Sequence, residues 1–167
     1  RREKQNPQRE PNMCLSAEVS FAASIFLVAG GTFATWKATQ TNMRYLPVAL
    51  MPLFAGIQQF MEGNVWIGMN GGDPFTVLWG AMGFIFFTWF MWPIWIPISI
   101  YVLEPPDSPR KRLFLLFAII GIAFGLLLYV PHAINPDWVN VSVNQDSLAY
   151  EGTMLLDYMM PRWMTYV

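Results

Sequence analysis

FTVLWGAMGFIFFTWFMWPIWIPISIYVL, residues 75–103, contains no Asp, Glu, Lys or Arg. A helix crosses the hydrocarbon of a bilayer with about 20 predominantly apolar residues, so this run exceeds what one straight crossing needs. Pro93 and Pro97 lie inside it, and a proline removes a backbone donor, so the run is expected to kink there. Working outward, the chain shows the same apolar character at Ala17–Trp36, from Tyr45 to the Asn70-Gly71-Gly72-Asp73-Pro74 turn signal, and at Leu113–Val130. The reading is an all-α, multi-pass transmembrane helix bundle with four crossings.

Composition agrees. Hydrophobic residues make up 54% of the 167 residues and charged residues 13%, and the charges concentrate in the N-terminal tail, the connections and the C-terminal segment. There is room for one domain, residues 13–167, preceded by a polar extension at residues 1–12. A net charge of -1 gives no basis for nucleic-acid binding. Cys14 is the only cysteine, which excludes an intrachain disulfide and a cysteine-rich metal site. The segment before it is polar, unlike the apolar signal that lipidation requires.

Ser16 is expected to cap the first helix, with Glu18 in its positive first turn. The Asn70–Pro74 cluster ends the second helix, and Glu104-Pro105-Pro106-Asp107 ends the third. After a polar stretch at Asn135–Glu151, residues Met154–Val167 turn apolar and aromatic again. That end reads as a fifth crossing begun at the C-terminus, or as an interfacial amphipathic helix.

Lys and Arg in short loops are retained on the cytoplasmic side. Lys37 and Arg44 flank the first connection, Arg110, Lys111 and Arg112 fill the third, and the Asn70–Pro74 turn has none. Loops 37–44 and 104–112 are therefore expected in the cytoplasm of a bacterial inner or photosynthetic membrane, with Asp73 and His132 opposite. The basic Arg1, Arg2, Lys4 and Arg9 oppose this orientation unless residues 1–12 are an extension ahead of an ancestral start at Met13. A retained signal-like segment is the competing explanation and would invert the topology.

Gln58, Gln59, Glu62 and Trp66 form an intramembrane polar cluster on the second helix, where three- and four-residue spacings bring side chains to one face. An ionisable group at that depth either binds a neighbouring helix or handles a proton or ligand. His132 is the sole histidine, so a bis-histidine haem and a histidine-rich metal site are excluded within the chain. A surface or helix-capping role is expected for it, a single axial bond to a tetrapyrrole being the alternative. Trp89, Trp92 and Trp95, with the phenylalanines around them, offer an aromatic surface for packing, lipid or a ring cofactor. Ala118, Gly121 and Gly125 form a small-residue stripe for close helix packing. Asn140-Val141-Ser142 is a glycosylation sequon. Ser16, Ser20 and Ser24 share a helix face without a base, and no catalytic residue or metal set is assigned.

MCLSAEVSF from Met13, QQFMEG through Gly63 with Trp66, FIFFTWFMWPIWIP through Pro97, and Leu103-Glu104 together resemble an uncharacterised family of bacterial multi-pass membrane proteins that open with MCFSAE or a close variant. Leu15 stands where that pattern has Phe. Family members continue into further crossings and often carry a histidine shortly before the tyrosine matching Tyr150, where this chain has Gln145 and Asp146. The resemblance implies a membrane protein starting near Met13 and implies no activity. Two functions are consistent with the sequence: a non-catalytic structural or accessory subunit of a larger membrane complex, respiratory or photosynthetic in type, with the bilayer and other membrane subunits as partners; or a small transporter or intramembrane enzyme using Glu62.

Overall fold

The computed structural model describes residues 16–144 and 147–152. The N-terminal extension and the apolar stretch beyond Gly152 lie outside the described residues. The chain forms α1 (Ala17–Thr41), a 3-10 turn (Met43–Tyr45), α2 (Leu46–Ala49), α3 (Met51–Gly71), α4 (Pro74–Ile85), a π-helical stretch (Phe86–Met91), α5 (Trp92–Leu103), α6 (Arg110–Ile134), a 3-10 turn (Pro136–Trp138), and strands β1 (Val139–Asn144) and β2 (Ser147–Gly152). Three helical segments are long and apolar enough to cross a membrane: α1, the continuous α4–π–α5 segment Pro74–Leu103, and α6.

Helix ends follow local chemistry. Ser16 is extended and makes no side-chain cap, contrary to expectation, although its carbonyl accepts from Ser20 N–H at 3.1 Å. Gly72 closes α3 in the left-handed conformation at φ 67°, which glycine adopts without a Cβ penalty. Asp73 then caps α4, accepting from the Phe75 N–H at 3.1 Å and the Thr76 hydroxyl at 2.6 Å. Pro74 follows at the first helical position, where no N–H is needed.

The expected disturbance at the prolines takes the form of a wider turn. The Trp92 N–H reaches back five residues to the Phe87 carbonyl. Pro93 cannot continue the ladder because it has no N–H, so one extra residue is accommodated immediately before it. Pro97 leaves the Pro93 carbonyl without its usual helical donor, and Ser99 donates its hydroxyl to the Trp95 carbonyl at 2.7 Å.

Glycine permits each main helix contact. A Cβ at Gly31 would fall 2.8 Å from Leu53 Cα, one at Gly56 2.9 Å from Val28 N, and one at Gly63 2.8 Å from the Phe21 ring. These pairings run in opposite chain directions, so α1 and α3 are antiparallel. Gly68 against Val77, Gly80 against Val65 and Gly83 against Met61 pair α3 with α4 in the same way. Gly121 against Pro93 and Gly125 against Phe90 pair α6 with α5 and the π stretch. Extending that register, with Tyr129 on Phe86 at 5.3 Å, brings the end of α6 level with Ala81, well short of the α4 start.

The chain then folds back as a β-hairpin. Strands β1 and β2 are antiparallel, with Val139 opposite Gly152 and Val141 opposite Tyr150. Val139, Asn140 and Val141 face Val77, Leu78 and Ala81 across a cleft of about 390 Å³, whose rim includes Gly68, Gly72 and Asp73. The hairpin thus lies along the N-terminal half of α4. Tyr150 stacks on Phe84 with ring centroids 4.6 Å apart and planes 8° from parallel.

Candidate functional site

The polar cluster expected on α3 divides into two parts. Gln58 points toward the π stretch, donating through Nε2 to the Thr88 hydroxyl at 2.9 Å and accepting from the Trp92 indole N–H at 2.6 Å. Thr88 in turn donates to the Phe84 carbonyl at 3.2 Å. Gln58 is therefore a clamp between α3 and the π stretch, a structural use of a polar side chain between helices.

Glu62 is not absorbed in that clamp. It is 8% exposed, and Gln59 Nε2 donates to its Oε2 at 2.9 Å. Trp66, one turn further along the same face, is 9% exposed. Its indole N–H has no hydrogen-bond partner among the described residues, and neither does the buried hydroxyl of Tyr150. Burial first, and the charge of nearby Glu62 second, push the Tyr150 phenol above its ordinary range. Tyr150 therefore brings the hairpin to Glu62. An unmatched buried polar atom loses its desolvation energy without return, about 1–3 kcal/mol each, and such atoms cluster where a polar molecule belongs.

His132 lies inside α6 and is 1% exposed, not at the surface as the sequence suggested. Its Nδ1 is 2.7 Å from the Leu128 carbonyl oxygen. A carbonyl only accepts, so Nδ1 carries the proton and Nε2 presents a lone pair. That Nε2 has no partner among the described residues. Indoles flank the ring, Trp89 at 4.9 Å and Trp138 at 6.2 Å, both edge-on. No group of three or more His, Cys, Asp or Glu residues that could hold a metal converges among the described residues.

The remaining sequence candidates are occupied within the chain. Trp92 bonds Gln58, and Trp95 donates its indole N–H to the Pro47 carbonyl at 2.8 Å. Trp95 also meets Phe54 edge-on at 5.0 Å. Ala118, Gly121 and Gly125 are buried along one side of α6, with both glycines against Pro93 and Phe90. Ser20 and Ser24 are buried too, and the Ser20 hydroxyl has no partner among the described residues.

Sequence reading missed Tyr150 and the hairpin that carries it. The signal was present in Val139-Asn140-Val141-Ser142-Val143-Asn144, a strict apolar–polar alternation of strand type.

This arrangement defines a helical protein with three segments built to cross a bilayer and a buried carboxylate covered by a β-hairpin. The chain belongs to the family of unknown function DUF6629, whose match spans residues 13–150. That agrees with the resemblance to an uncharacterised family and with its family-like start at Met13. No curated protein and no solved structure matches the chain.

Proposed function

We propose that the protein is a four-crossing integral membrane protein whose working site is the Glu62 crevice, where a small polar solute enters from the Asp73 side, as in a small transporter. The fourth crossing is α3. Its 21 residues span about 31 Å as a helix, and it runs antiparallel to both α1 and α4. Trp95 meeting Pro47 supports a shared end for the two basic connections, loops 37–44 and 104–112, assigned to the cytoplasm by their Lys and Arg residues.

One observation carries the functional reading: the hairpin re-enters the helical layer. Tyr150 meets α4 at Phe84, ten residues from Pro74, which is about 15 Å along the helix. That is roughly half of a 30 Å hydrocarbon core. Non-helical backbone at such depth persists only where protein buries it or water reaches it, and Asn140 and Ser142 are poor neighbours for lipid.

The accessory-subunit reading has less support, because the aromatic helix and the small-residue stripe, its two contact surfaces, are engaged within the chain. The exposed apolar faces of α1 and α6 serve a partner subunit and lipid equally well.

The test is thiol accessibility in a Cys14→Ser chain reconstituted in vesicles. Val141→Cys in the cleft should react with a charged, membrane-impermeant thiol reagent from the Asp73 side, and Phe117→Cys on the apolar face of α6 should not. Reaction of Val141→Cys with membrane-permeant reagents alone would overturn the reading.

A further inference from the structure

Glu62 lacks a counter-charge. The described cations, Lys37, Arg44, Arg110, Lys111 and Arg112, all belong to the opposite ends of the helices. A buried carboxylate requires a proton or a cation, and the crevice holds other unmatched groups beside it. Tyr150 brings an oxygen able to accept, Trp66 an indole N–H able only to donate. Phe84 and Tyr150 add stacked aromatic faces, which favour a cation nearby. At the mouth of the cleft, Asp73 is held below the usual carboxylate range, first by the Thr76 hydroxyl, and so keeps a negative charge where a cation would arrive.

We infer that the Glu62 crevice binds a small primary amine bearing a neighbouring oxygen, of the ethanolamine type: the ammonium donates to the Glu62 carboxylate and the Tyr150 oxygen, and the ligand oxygen accepts from the Trp66 indole. This rests on the reading of the Glu62 crevice as the working site. A bare inorganic cation would leave the Trp66 N–H unmatched, and a neutral alcohol would leave Glu62 without its counter-charge. The amine with its oxygen satisfies all three groups. The same chemistry occurs in free amines and in lipid headgroups.

The experiment is equilibrium binding of radiolabelled ethanolamine to the full chain in detergent. Saturable binding is expected, lost in Glu62→Gln, which keeps an acceptor for Gln59 but removes the charge. Tyr150→Phe, a change outside the helices, should weaken binding about tenfold through one charge-assisted hydrogen bond. Ethylammonium, which lacks the oxygen, should compete less well than ethanolamine, and Trp66→Phe should erase that difference. Displacement of the label in nanodiscs containing phosphatidylethanolamine would assign the site to a headgroup, and persistence of the label would assign it to a free amine. Absence of saturable binding, or binding unchanged in both Glu62→Gln and Tyr150→Phe, would overturn the inference. If Val141→Cys is accessible and no amine binds, the crevice reading stands and the ligand class falls.

Discussion

Gly121→Ala tests whether the small-residue stripe works inside the chain. An alanine Cβ there would sit 2.6 Å from the Pro93 carbonyl carbon and closer still to its oxygen, against a favourable carbon–carbon separation of about 3.5–4.0 Å. The obstacle is backbone, so no rotamer change relieves it, and α6 must retreat from α5 by about 1 Å. Overpacking of this kind costs about 1–3 kcal/mol. Alanine also gains about 0.5–1 kcal/mol in a helix relative to glycine. Gly30→Ala on α1 is the matched control, since nothing lies within 4 Å of its added Cβ. The difference between the two variants isolates the overpacking, roughly a 5- to 150-fold change in the unfolding equilibrium. Denaturation with SDS in mixed micelles, followed by circular dichroism, measures it. Equal stability of the two variants, or a Gly121→Ala chain that keeps its stability and changes only its oligomeric state, would refute the reasoning and return the stripe to an intermolecular role.

Gln58→Leu should cost about 1–3 kcal/mol, because it leaves the Trp92 indole N–H without its acceptor; SDS denaturation checks the loss and a blue shift of tryptophan emission checks the drier indole. Asp73 has a folded pKa below its ordinary 3.8, so its contribution to stability is present above that value and disappears as pH falls through the folded pKa. Asp73→Asn should flatten that acid-side dependence, read as unfolding temperature against pH, whereas an unchanged slope would remove Asp73 from the account. For topology, thiols introduced by Asp73→Cys and Ser108→Cys in the Cys14→Ser chain should label from opposite faces of sealed vesicles; labelling of both from one face would show an even spacing of crossings to be wrong.

The apolar runs, the Asn70–Pro74 turn and the irregularity at Pro93 were legible because each depends on local chemistry: length of apolar chain, a left-handed glycine, a missing donor. The spacing of Gln59, Glu62 and Trp66 placed them on one face for the same reason. Which polar groups meet was not legible. Gln58 finds Thr88 and Trp92 across the turn, and Tyr150 reaches Glu62 from a hairpin far along the chain, so both pairings depend on helix register. His132 illustrates the same limit: its position near a helix end suggested exposure, whereas the early end of α6 leaves it between Trp89 and Trp138.

The π turn at Phe86–Met91 also fixes how long this segment must be. Removing one residue from it would let α4 run into α5 as an ordinary helix, yet would rotate everything beyond it by about 100°. Trp92 would swing from Gln58, Trp95 from Pro47, and the Pro93 carbonyl from the gap left by Gly121. Insertions and deletions that a surface loop absorbs without effect would here disconnect three contacts together, so this stretch should hold its residue count even where its side chains vary.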